Sequence, residues 1–131
     1  MLTRKMSRIA LFCLLLAACF ALAACSGQTP TATEQVTSLE VKKGQVFQVQ
    51  LKGNPTTGYG WEVAEVDEKV IQQQGEAEFK ADSSLLGAGG TETLRFKAVG
   101  MGKATLKMVY RRSWEKDVAP LQTYTLEVTA R

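Results

Sequence analysis

The sequence predicts an all-β domain, an antiparallel β-sandwich of about seven strands, and two observations carry that expectation. Apolar residues alternate with period two far more consistently than they recur at helical spacing. Phe47, Val49 and Leu51 share one strand face, and Gln48 and Gln50 occupy the other. Leu94, Phe96 and Ala98 do the same against Arg95 and Lys97, and the pattern returns at Ala104, Leu106, Met108 and Tyr110 and at Tyr124, Leu126 and Val128. The second observation is the spacing: each half-wet run is short and bounded by turn residues such as Val99-Gly100-Met101-Gly102-Lys103. One dry face per strand favours an antiparallel sandwich over a parallel sheet buried on both sides.

The elements begin with a leader. Arg4, Lys5 and Arg8 precede an unbroken apolar run from Ile9 to Ala24, the order of a secretory signal peptide. The run is shorter than the roughly 20 residues of a membrane-spanning helix. Leu22-Ala23-Ala24-Cys25-Ser26-Gly27 resembles a bacterial lipobox, which implies lipid modification of Cys25 as the first mature residue. A second copy of the pattern six residues earlier, Leu16-Ala17-Ala18-Cys19, would leave a greasy start, whereas Cys25 opens directly into polar residues. Cys13 and Cys19 then read as apolar filler of the leader. The expected division is 1–24 signal peptide, 25–36 lipid-anchored flexible tether rich in small polar residues, and 37–131 one folded domain. The expected location is the bacterial cell envelope, with the membrane reached through the lipid on Cys25.

Charge narrows the partners. The chain has 16 Lys and Arg against 13 Asp and Glu, and the excess resides in the leader, so the domain is formally neutral and gives no argument for nucleic-acid binding. There is no His, and all three cysteines lie at or before Cys25. No disulfide, cofactor or metal site is therefore expected in the domain, and stability must come from its core. An enzyme is disfavoured for the same reasons, since general acid–base and thiol chemistry lack their usual residues. Asp67 with Glu68 reads as a solvated turn.

Strands are expected near 38–42, 45–52, 59–65, 70–80, 92–99, 103–111 and 121–129, with Gly75 as a bulge in the fourth. If consecutive strands run antiparallel, the connections after the second, fourth and sixth emerge at one end. These contain Asn54 to Gly58, Ser83 to Gly90 and Arg112 to Pro120, while the turns at the other end are short. Dividing the fourth strand in two would reverse that parity. The first connection, Gly53-Asn54-Pro55-Thr56-Thr57-Gly58-Tyr59-Gly60-Trp61, is longer than a tight hairpin needs. Pro55 fixes φ and pushes Asn54 toward extended geometry, and Gly58 tolerates positive φ, so the path is stiff.

The three connections together resemble chagasin-type inhibitors of papain-like cysteine peptidases. The matching residues are Asn54-Pro55-Thr56-Thr57-Gly58-Tyr59, then Gly87-Ala88-Gly89-Gly90, then Tyr110-Arg111-Arg112-Ser113-Trp114. They correspond in order to an NPTTG, a GxGG and an RPW loop on an immunoglobulin-like sandwich. The resemblance implies a three-loop wedge that enters a peptidase cleft. Thr56 and Thr57 would lie at the target's catalytic cysteine, the Gly87 to Gly90 backbone would run beside the cleft, and Arg112 and Trp114 would pack on the primed side. Ser113 stands where the family has proline, which removes one fixed φ and implies a looser third loop. Trp61 is assigned to the core, as strand C of such sandwiches often carries a buried Trp. The other reading is an immunoglobulin-like surface lipoprotein that binds a protein or carbohydrate without inhibiting a peptidase. A monomer is expected, because pairing the strands leaves no long apolar stripe.

Overall fold

In the computed structural model, which describes residues 27–131, the alternating pattern folds into nine strands and one short 3-10 turn. They are β1 Thr31–Thr33, β2 Ser38–Val41, β3 Val46–Gly53, β4 Gly60–Glu65, β5 Ile71–Gln73, β6 Glu78–Ala81, β7 Gly90–Ala98, β8 Gly102–Arg111 and β9 Gln122–Ala130. One sheet has the order β1-β3-β7-β5, with β6 also on β7, and the other has β2-β9-β8-β4. The signal peptide and Cys25 lie outside the described residues.

The core consists of the inward halves of these strands. Phe47 is paired with Phe96 and Val49 with Leu94 in the first sheet, and Leu106 with Leu126 and Met108 with Tyr124 in the second. All but Tyr124 among these are essentially without solvent contact, and the Phe47 and Phe96 rings stack at 5.5 Å. Direct cross-strand pairing of large apolar side chains on the dry face fixes the register, because a one-residue slip would expose every one of them. Trp61 is buried at 6% exposure, as its strand position leads one to expect.

The expected fourth strand is two strands, β5 and β6, yet the parity survives. Both pair antiparallel with β7, so they run in the same direction. Gln73 faces Phe96 and Glu78 faces Thr93, so five steps on one side match three on the other. The excess loops out around Gly75, whose φ of 73° suits glycine.

β1 corrects the expectation that 25–36 is only a flexible tether. Thr31–Thr33 pairs with β3, Ala32 is fully buried, and the Gln48 side-chain amide donates to the Thr31 hydroxyl at 3.0 Å. A single inward apolar residue is too short a signal for periodicity to detect. β1 also makes the architecture mixed, because it runs parallel to β3, and β2 runs parallel to β9. The reason is the connection: β2 lies between β1 and β3 in the chain but in the other sheet, so β1 and β3 meet as neighbours after the chain has reversed twice.

Ala32→Asp is expected to lower stability by about 2–4 kcal/mol, since it places an unpaired carboxylate in the core. Urea unfolding checks this; an unchanged midpoint would show that residues 31–33 do not belong to the folded unit.

Candidate functional site

The connections after β3, β6 and β8 converge at one end of the sandwich and are bonded to one another. In the first, Asn54 caps a 3-10 turn over Pro55–Thr57: its side-chain oxygen accepts from the Thr56 amide at 3.2 Å and from the Thr56 hydroxyl at 2.5 Å. Its carbonyl accepts from the Thr57 amide at 3.2 Å and the Thr57 hydroxyl at 2.6 Å. Pro55 occupies the first helical position, where no amide is required, and Gly58 closes the turn with φ of 81° and a bond to the Pro55 carbonyl at 3.0 Å. Pro55, Thr56 and Thr57 are exposed at the summit.

The second loop, residues 82–89, is tied to the first by the Asn54 side-chain amide, which donates to the Gly87 carbonyl at 3.0 Å. Gly87 has φ of 75°, and Asp82 donates its amide to the Gly89 carbonyl at 2.9 Å. Gly87 and Gly89 therefore stand in the loop as expected. Gly90 does not: it is buried in β7 between Gly53 and Ala81. A Cβ there would lie 2.1 Å from the Lys80 carbonyl oxygen. Its part is to let β6 lie close on β7, and its backbone is not offered to a partner.

The third loop, 112–121, leans on the first. The Arg112 guanidinium donates to the Thr57 carbonyl at 3.1 Å and lies 4.6 Å over the Tyr59 ring. Trp114 is 68% exposed, and its ring edge covers Gly58 so closely that a Cβ there would fall 2.6 Å from it. Ser113 does not leave this loop slack. The Glu115 amide closes a turn on the Arg112 carbonyl at 3.0 Å, Arg111 donates to the Glu115 carbonyl at 2.6 Å, and Arg112 pairs with the Glu115 carboxylate at 3.3 Å. These bonds provide the restraint that a proline would otherwise supply.

Beneath the loops lies an aromatic floor. Tyr59 stacks on Tyr110 at 5.4 Å, Trp61 lies 5.2 Å from Tyr110, and the Tyr110 hydroxyl accepts from the Asn54 amide at 2.8 Å. The Trp61 indole donates to the Lys52 carbonyl at 2.8 Å. Glu92 is buried beside them at 5% exposure; burial pushes its carboxyl above the ordinary range, and a bond from the Trp61 amide at 3.0 Å offsets part of that.

Several residues of this end carry no motif. Leu85 and Leu86 project almost fully into solvent from the second loop, and Val118 and Leu121 are exposed on the third. A Leu-Leu pair inside a Ser- and Gly-rich loop is the signal that marks the first two. Glu92 was legible by parity, since it shares the inward face with Leu94 and Phe96. What the site offers is surface and backbone: it holds no thiol or imidazole, and its three walls form one connected ridge.

The chain is similar to several known proteins in sequence and in fold. Residues 40–128 match the family model described as chagasin family peptidase inhibitor I42. Amoebiasin-1 of Entamoeba histolytica is 31% identical over 98 residues, 72% of this chain and 91% of the relative. Chagasin of Trypanosoma cruzi is 30% identical over 97 residues, 71% of this chain and 88% of the relative. The crystal structure of a cysteine protease inhibitor from Entamoeba histolytica superposes with a TM-score of 0.68 at 28% identity, covering 79% of this chain and 96% of that one. With the family model spanning most of the sandwich and the three loops in place, the chain belongs to the chagasin family of peptidase inhibitors, whose members block enzymes and are not enzymes themselves.

Proposed function

We propose that the protein reversibly inhibits papain-like cysteine peptidases by inserting its three-loop ridge into the substrate cleft. The observation that carries this reading is the bonding of the first loop to both others, by Asn54 to Gly87 and by Arg112 to Thr57. A ridge held in this way loses little freedom on binding, which is the chief cost that a loop-borne interface has to meet. Family membership supplies the class of target.

The shape of the first loop explains why an inhibitor of this kind is not consumed. Peptidases bind extended backbone, whereas Pro55–Thr57 is coiled into a 3-10 turn. The Thr57 carbonyl is also occupied by Arg112. The summit fills the cleft without offering an aligned scissile bond. Trp114, exposed beside it on a buttressed turn, has the character of an aromatic anchor. Leu85 and Leu86 add apolar contact on the opposite flank.

The lipobox at Cys25 supports anchoring of this inhibitor to a bacterial membrane. Because β1 is parallel to β3, which runs toward the first loop, the chain enters the sandwich at the end away from the ridge. A lipid at Cys25 would therefore leave the three loops pointing outward.

Titration of papain with the soluble 26–131 fragment is expected to abolish activity at a one-to-one ratio, with the Asn54 to Tyr59 segment uncut after long incubation. Trp114→Ala is expected to weaken inhibition about thirtyfold, roughly 2 kcal/mol, at an unchanged thermal midpoint. Full papain activity at excess protein would refute the reading, and rapid cleavage at Thr56 or Thr57 would make the loop a substrate. Separately, Cys25→Ser is expected to shift the full-length protein out of the membrane fraction, whereas Cys19→Ser leaves it there. Mass spectrometry of the mature N-terminus checks the assignment, and a lipid on Cys19 would contradict it.

A further inference from the structure

Glu92 is the charged side chain that the core buries among the described residues. It belongs to β7 in one sheet, yet its Oε2 accepts from the Trp61 amide of β4 in the other sheet at 3.0 Å. Its Oε1 has no hydrogen-bond partner among the described residues. That oxygen occupies the space a side chain at residue 53 would need: a Cβ on Gly53 would lie 2.3 Å from it, and the three nearest atoms all belong to Glu92. A Cβ on Gly60 would lie 3.8 Å from Oε2. The carboxylate thus touches the end of β3 and the start of β4, the two stems from which the first loop rises.

We infer that Glu92 is a positioning residue of the inhibitory ridge, bonding the β4 stem of the first loop at the Trp61 amide and packing against the β3 stem at Gly53, so that Thr56 and Thr57 stand at a fixed height above the sheets. This rests on the inhibitory reading above. β4 is an edge strand, so a hydrocarbon in place of Glu92 would leave the Trp61 amide buried without an acceptor, while a carboxylate satisfies it across the gap between sheets. Gly53 follows from the same clamp, since any side chain there would displace it.

Among the described residues, no cation pairs with the carboxylate. β3 contributes Leu51 and Gly53, β6 contributes Phe79, β4 contributes Gly60 and Trp61, and β8 contributes the phenol of Tyr110 beside Trp61. The cations on the strands beside it pair with other carboxylates, Lys52 with Asp82 and Arg111 with Glu62. Burial raises the Glu92 carboxyl above its ordinary range. The folded state therefore holds this proton more tightly than the unfolded chain. Its stabilising contribution is present below the ordinary glutamate range and is lost as pH rises through the raised value.

The test compares Glu92→Gln, which keeps an acceptor for Trp61, with Glu92→Ala, which does not. In the free protein, Glu92→Ala is expected to speed hydrogen exchange at the Trp61 amide and at the amides of Asn54 and residues 56–59 by about tenfold or more, and Glu92→Gln to preserve protection. Against papain, Glu92→Ala is expected to weaken inhibition about tenfold and Glu92→Gln to restore it. Gly53→Ala should be severe in the parent and tolerated once Glu92 is Ala. Acidification should stabilise the parent relative to Glu92→Gln. Unchanged Trp61 exchange in Glu92→Ala would overturn the clamp, as would parental inhibition by that variant. If the parent itself fails to inhibit papain, the inhibitory reading falls, and the exchange comparison alone decides the clamp.

Discussion

Asn54 is the residue on which the three-loop end of the sandwich depends. Its backbone amide is fixed to the Tyr110 hydroxyl, its side-chain oxygen and carbonyl organise Thr56 and Thr57, and its side-chain amide reaches Gly87 in the second loop. One residue thereby joins the sheet floor, its own turn and a neighbouring loop. Each bond alone is worth about 1 kcal/mol, but together they convert three surface connections into a single surface. Aspartate would lose the donor to Gly87, and serine could not span both directions.

The sandwich serves this arrangement by its parity. Since β5 and β6 keep one direction along β7, the connections after β3, β6 and β8 share an end, and the short turns at Gly44 and Gly100 share the other. The first loop also crosses between sheets, from β3 to β4. That crossing is where the structure places its aromatic stack, the Trp61 indole bond to Lys52 and the buried Glu92. Rigidity at the summit is thus inherited from packing in the floor, a division of labour typical of loops borne on a stiff scaffold.

Much of this was legible in the sequence because it is local. Alternation gave the inward sets of β3, β7, β8 and β9, and the Asn-Pro and Gly58 chemistry gave a stiff turn. Trp61 and Trp114 fall inside and outside as expected. β1 escaped notice because one buried alanine between two threonines makes no periodic pattern. The bonds from residue 54 to residues 87 and 110 escaped because they join positions far apart in the chain, whose proximity only the fold creates. The missing proline at Ser113 suggested a looser loop, since the turn that Glu115 closes with Arg111 and Arg112 depends on geometry and not on a motif.

The central claim is that one end of the sandwich, with all three loops acting together, is what a peptidase meets. Hydrogen–deuterium exchange of the soluble domain, free and saturated with papain, reads this directly. Added protection is expected in residues 54–59, 83–89 and 112–118, with the turns at 42–45 and 99–102 unchanged. Protection confined to one loop, or appearing at the opposite turns, would contradict it.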